Sequence, residues 1–158
     1  MTDIKSVEER SRNMAAIKSK NTKPEVYIRK ELFSRGFRYR IAPLSVPGHP
    51  DIYLGKYRLA VYVNGCFWHR HEGCKYAYLP KSKVDFWKKK FDTNILRDQN
   101  VREELQKQGF RHLIIWECAI RQAQKKTYSK ESLIDTVIDF IISDETYGEI
   151  SIDCVLSL

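Results

Sequence analysis

A chain of 158 residues, 42% hydrophobic and 30% charged, is expected to form one domain whose core needs no disulfide support. No run of 18 or more apolar residues occurs, which excludes an ordinary membrane-spanning helix; the chain reads as cytosolic, with its four cysteines as metal ligands or buried thiols rather than disulfides. The net charge of +8 is uneven, with eleven Lys/Arg against four acids in residues 5–40, nine against two in 54–91 and one against seven in 127–158, and such a basic body suits a polyanion, DNA and RNA alike.

Residues 1–21 read as a basic arm. Thr22-Lys23-Pro24-Glu25 has a capping-box pattern, predicting a helix through Tyr27, Ile28, Leu32 and Phe33 that stops at Gly36. Phe37 to Ile41 reads as extended, and a loop follows with Pro43, Pro47, Gly48 and Pro50. Asp51 to Leu54 and Arg58 to Val63, separated by a turn at Gly55-Lys56, form a predicted hairpin. Two polar, Lys-rich helices are expected over Lys81 to Lys90 and Asn94 to Gln108, the second closed by Gly109. Phe110 to Trp116 is the clearest buried strand, and an acidic amphipathic helix and tail fill 129–158, the helix over about Ser129 to Ile142, with Cys154 as apolar filler. Neither a repeat nor a dividing linker is visible. The expected fold is α/β, one domain with a central mixed β-sheet flanked by helices.

The densest chemistry lies in Gly65-Cys66-Phe67-Trp68-His69-Arg70-His71-Glu72-Gly73-Cys74. Cys66, Cys74 and Cys118 with one histidine make the three-thiolate, one-imidazole set of closed structural zinc sites, and spacing alone leaves the choice between His69 and His71 open. Separate buried thiols are the plainer alternative. Asp51 opens one hairpin strand beside the end of the other at Val63, so a carboxylate and a backbone carbonyl meet at one sheet edge, a pairing that suits magnesium; an aspartate beside proline is also a common turn residue. Glu25 fits equally as the capping-box partner of Thr22, and Asp98 as a solvated charge. Phe67, Trp68 and Trp87 are either core or exposed rings suited to stacking on, or wedging between, bases.

Ser11-Arg12-Asn13-Met14-x-x-Ile17, Thr22-x-x-Glu25, Pro47-Gly48-x-Pro50-Asp51, Gly65-Cys66-Phe67-Trp68-His69 and Ile115-Trp116-Glu117-Cys118, in order over about residues 10–121, together resemble the very short patch repair (Vsr) endonuclease family. The resemblance implies a restriction-endonuclease-like fold with a structural zinc site. It also implies a magnesium-dependent nickase that cuts 5′ of the thymine in a T·G mismatch left by deamination of 5-methylcytosine. By the same resemblance, Asp51 and the Val63 carbonyl bind Mg2+, His69 is the catalytic histidine, Asp98 orients it, and Glu25 holds water at the metal. Cys66, His71, Cys74 and Cys118 become the Zn2+ ligands. Phe67, Trp68, Trp87 and Met14 wedge into the duplex, and Arg12 and Asn13 of the basic arm contact DNA. The implied protein is a nucleoid-associated bacterial monomer in the cytoplasm, working alongside mismatch-repair proteins and a cytosine-5 methyltransferase. Restriction-type sites usually place a second acid and a lysine on the next strand, where Val63-Asn64-Gly65 has neither, so His69 has a vacancy to fill. Relatives carry Thr-His or Val-Asp ahead of the glycine, and Asn64 offers no comparable acid–base help. Two other readings fit parts of the pattern: a zinc-stabilised mismatch-binding module that does not cut, and a dimeric restriction-type enzyme that cuts both strands.

Overall fold

Helix α1 (Lys23–Ser34) starts where the capping pattern places it: Thr22 is the N-cap, and its hydroxyl accepts the Glu25 backbone N–H at 3.4 Å. The chain is seen in a computed structural model that describes residues 6–9, 12 and 20–152. After α1 comes Gly36 at φ +90°, a left-handed position that lets the Phe37 N–H reach back to the Leu32 carbonyl at 3.1 Å. The extended stretch expected over Phe37 to Ile41 contracts to a single antiparallel bridge, Arg40 with Tyr53. Ala42, at φ +44°, turns the chain away at once, and its N–H bonds the Pro50 carbonyl.

The predicted hairpin forms from β1 (Ile52–Leu54) and β2 (Leu59–Asn64), joined by a 3-10 turn over Gly55–Tyr57. The two expected Lys-rich helices are one, α2 (Val84–Lys107). Residues 91–93 contain no breaker; Phe91 is buried, and the Thr93 hydroxyl bonds the Lys89 carbonyl within the helix. Strand β3 (Arg111–Trp116) follows as expected. Two elements are additional: α3 (Glu117–Lys125), directly after β3, and β4 (Tyr147–Ile150), beyond the last helix α4 (Thr127–Ile142). Cys154 lies outside the described residues. Among these, no helix is long and apolar enough to cross a membrane.

The sheet runs β1-β2-β3-β4, with β1 antiparallel to β2 and the other neighbours parallel. Strand alternation sends Ile52, Leu54, Leu59, Val61, Leu113 and Ile115 to one face, against Ile28 and Leu32 of α1 and the apolar faces of α3 and α4. Tyr53, Ala60 and Tyr62 face the other side with Leu105 of α2. The result is a mixed sheet between two helical layers, the architecture expected from the sequence. Because β2 and β3 are parallel, with Asn64 beside Trp116, the segments leaving both strands emerge at the same end of the sheet. That register brings Cys66 and Cys118 together across more than fifty residues of chain.

Candidate active site and metal centre

Asp51 enters β1 at the end of the sheet where β2 finishes. Its Oδ2 accepts the Val63 N–H at 2.7 Å, so the carboxylate is anchored to the last turn of backbone in β2. The loop carrying it is pinned from both sides: the Tyr62 hydroxyl donates to the Pro47 carbonyl, and Gly48, at φ +78°, packs so tightly that a Cβ would stand 2.5 Å from Val101 Cγ1 on α2. Glu25 lies beside Asp51, close enough to hydrogen-bond it. Burial, then the charge of Glu25, pushes the Asp51 carboxyl up to about 7 against the pull of the Val63 N–H and Arg29. A close pair of carboxylates that retains a proton near neutrality is a donor set in which a divalent cation can replace that proton.

Glu25 is itself nearly buried. Its Oε2 accepts the Asn21 N–H at 2.7 Å and the Arg29 guanidinium at 3.3 Å. The carboxylate therefore reaches past Thr22 to the preceding residue, so half of the expected capping box is replaced by the bond to Asn21, with Asp51 alongside. Sequence reasoning missed Arg29 because its partners lie on three separate segments; an arginine in an otherwise amphipathic helix was the available signal.

His69 belongs to the turns that follow β2, its N–H held by the Gly65 carbonyl at 3.1 Å. Its Nδ1 meets Asp98 Oδ2 at 2.6 Å, so Asp98 of α2 is a partnered, half-buried group rather than a solvated charge. With the carboxylate as acceptor, the proton on Nδ1 is assigned by that bond and Nε2 keeps its lone pair.

Phe67 and Trp68 are half-buried rather than projecting freely. Phe67 sits at the centre of an aromatic cluster, with ring centroids 5.1–5.4 Å from Trp68, Tyr78, Trp87 and Phe91. Trp87 also contacts Trp68 and Phe86, and Tyr78 and Phe86 are largely exposed. The stiff loop is held by Arg70, which donates to the carbonyls of Phe67, Ala77 and Tyr78 and lies 3.9 Å over the Phe91 ring. Phe86, Tyr78 and Arg70 were not singled out from sequence, although all three precede Trp87 in a stretch rich in aromatic and basic residues. Arg12 is exposed, whereas Asn13 and Met14 lie outside the described residues.

The donor atoms of Cys66, His71, Cys74 and Cys118 all lie within 4.8 Å of one another. Metal–ligand bonds of about 2.0–2.3 Å in a tetrahedron need donor separations of roughly 3.5–4 Å, so a modest contraction closes the set around one ion. His71 stacks on Trp116 with centroids 4.2 Å apart and planes 6° from parallel, and its Nδ1 is 3.6 Å from Cys118 Sγ. The Cys66 thiol donates to Cys118, which together with the Ile152 N–H and the nearby His71 lowers Cys118 to about 5, while Cys66 keeps the shared proton and is raised. A thiolate already favoured at neutral pH is what a metal ligand requires. The geometry selects His71 for this cluster and leaves His69 with Asp98.

A carboxylate pair, a carboxylate-oriented imidazole and a Cys3His cluster that could hold a metal ion meet at one end of an α/β sheet, an arrangement suited to a hydrolase. A family profile described as DNA mismatch endonuclease Vsr matches residues 2–75. The Type II nicking enzyme V.NmeAIP of Neisseria meningitidis is 46% identical over 121 residues, 77% of this chain and 86% of that protein. The Type II nicking enzyme V.XorIIP of Xanthomonas oryzae is 42% identical over 76% of this chain and 88% of its own length. The DNA mismatch endonuclease Vsr of Escherichia coli is 34% identical over 150 residues, 95% of this chain and 94% of that protein. The chain belongs to the Vsr family of DNA mismatch endonucleases and has the restriction-endonuclease-like fold of that family.

Proposed function

We propose that this strand-specific endonuclease hydrolyses one phosphodiester bond 5′ of the thymine in a T·G mismatch, as a monomer in the cytoplasm, with Mg2+ at Asp51 and zinc as a structural ion. The observation that carries the reading is the placement of two proton-handling pairs, Glu25 with Asp51 and Asp98 with His69, at one end of the sheet, with the aromatic cluster joined directly to His69. Asp51 and the Val63 carbonyl would hold Mg2+, which supplies charge stabilisation at the phosphate oxygens. Nε2 of His69 takes the proton of the attacking water, and Asp98 stabilises the imidazolium that results. Glu25 orients water beside Asp51. Phe67, Trp68 and Trp87, together with Met14, enter the duplex where a mispair has weakened stacking, and the cost of unstacking is lower there than in matched DNA. Arg12 and Asn13 grip the backbone. Cys66, His71, Cys74 and Cys118 would bind zinc as a closed set with no open position, so the ion ties the loop to α3 and takes no part in the reaction.

Replacing His69 with alanine is expected to lower the single-turnover nicking rate by about 10²–10⁴-fold, the usual contribution of a general base. Asp98→Asn should have a smaller effect, and both variants should still bind mismatched DNA in a gel-shift assay.

The raised Asp51 carboxyl also sets a pH dependence. Its folded value of about 7 lies above its ordinary value of 3.8, so between those limits the folded chain holds a proton that the unfolded chain releases. The contribution of this group to stability therefore falls as pH rises through that window. The ionised carboxylate would hold Mg2+, whose binding would offset the loss. The Mg2+-induced rise in Tm is expected to be larger at pH 8 than at pH 6, and an equal rise at both would contradict this role for Asp51.

The direct test is a nicking assay on duplexes differing only in T·G against C·G, with each strand labelled in turn. A single Mg2+-dependent cut 5′ of the mismatched thymine is the expected result. Binding without cleavage in every flanking context, or equal cutting of both strands of the C·G duplex, would overturn it.

A further inference from the structure

We propose that Arg29 is a positioning residue for the Glu25–Asp51 corner, setting the separation of the two carboxylates by holding backbone on one side and a side chain on the other. The inference rests on the reading of Asp51 as a divalent-metal ligand. Arg29 lies in α1 with only 6% of its surface exposed. Its Nε–H donates to the main-chain carbonyl of Asp51 at 3.0 Å, one Nη to Asn21 Oδ1 at 2.9 Å and the other to Glu25 Oε2 at 3.3 Å. One planar side chain thus joins the loop before α1, the first turn of α1 and the residue that enters β1. Asn21, at φ +56°, closes the ring by giving its own N–H to the same Glu25 oxygen.

The choice of acceptor on Asp51 is informative. A guanidinium aimed at the carboxylate would neutralise it and compete with a cation. Here Arg29 takes the peptide oxygen, while the carboxylate is steadied from the opposite side by the neutral Val63 N–H. Positive charge is paired with Glu25 Oε2 and so moderates the repulsion of the carboxylate pair while leaving the carboxylate oxygens of Asp51 unoccupied. A buried ion pair is a poor source of net stability compared with packed apolar side chains, so the three-way fork has its clearest use in geometry. Lysine carries the same charge but concentrates its donors on one flexible atom and cannot span three acceptors in a plane.

The test uses Arg29→Lys and Arg29→Met in the full chain, with Asp51→Asn as reference. Binding of Mn2+ is read directly from the electron paramagnetic resonance of the free ion. Circular dichroism and mismatch-duplex binding in EDTA report the fold and the DNA surface. The expected result is mismatch binding near that of the parent chain, with Mn2+ affinity weakened on the order of tenfold or more in both Arg29 variants, the range for partners that orient metal ligands. The Mg2+ concentration giving half-maximal nicking should rise in step. If Arg29→Lys binds Mn2+ like the parent chain while Asp51→Asn does not, Arg29 is only structural and the inference fails, and the lysine variant decides this even if the methionine variant does not fold. If Asp51→Asn also binds Mn2+ normally, the metal reading of Asp51 fails and the inference falls with it.

Discussion

Asp51→Ala is expected to bind mismatched DNA and to leave it uncut, with the single-turnover rate reduced by at least about 10³-fold. Lewis-acid stabilisation of a phosphodiester transition state is worth several kcal/mol, and each 1.36 kcal/mol is a factor of ten in rate. Folding should survive, because two opposing local effects meet at this position. The Val63 N–H loses its acceptor, at a cost of about 1–3 kcal/mol if it stays dry, while Glu25 loses a like-charged neighbour that raises the energy of the pair near neutral pH. Thermal unfolding would show whether the two nearly cancel. Nicking by Asp51→Ala within tenfold of the parent rate would remove the metal from this site. Asp51→Asn is the companion variant, since it keeps an oxygen for the Val63 N–H and discards only the charge.

The second large effect is expected at the Cys3His cluster. Cys118→Ser should lower Tm on the order of 10 °C, reasoning that loss of one ligand removes about 3 kcal/mol or more of the much larger free energy of a structural zinc, at roughly 2–4 °C per kcal/mol for a chain of this size. Cys118 is fully buried beside Cys66, and the apolar contacts around them are few, chiefly Trp116, Tyr76, Ile114 and Ile152. With so small a satellite core, the proposed zinc would be the main tie between the loop and α3. Metal content by atomic emission should give about one zinc per parent chain and much less in the variant. An unchanged Tm together with unchanged metal content would mean that the four donors are ordinary thiols and an imidazole. Nicking should fall with Tm, since the loop also carries His69.

The features legible in the sequence were those with a local cause. The start of α1 follows from Thr22 and Pro24, its end from Gly36, and the hairpin from alternating apolar residues around a short turn. The cysteines were recognisable as a set, but the choice of histidine needed either a family resemblance or the stacking of His71 on Trp116. What escaped depends on tertiary context. The single helix α2 looks like two because Phe91-Asp92-Thr93 interrupts a Lys-rich pattern without breaking the backbone. Helix α3 is amphipathic, burying Cys118, Ala119, Ile120 and Ala123, but it is nine residues long and follows β3 with no intervening residue, so no local signal separates it from the strand. Strand β4 contains Gly148 and is defined by its pairing with β3. Phe67 and Trp68 divide between the alternatives open to them, since each is partly covered by rings from α2 that no local pattern connects to the loop. The half-formed capping box at Glu25 shows the same limit, because its carboxylate is drawn to the Asn21 N–H, Arg29 and Asp51.

The parallel register of β2 and β3 has a practical meaning for anyone moving this chemistry to another scaffold. Cys66, Phe67, Trp68, His69 and His71 fall within six consecutive positions, yet their surroundings are supplied by Cys118 after β3, Asp98 on α2 and Asp51 before β1. A transplanted loop would arrive without its anchors. The smallest portable unit is the paired ends of two neighbouring strands together with the first turn of α3 and the middle of α2, and a host with antiparallel strands at that place would carry Cys66 and Cys118 to opposite ends of its sheet.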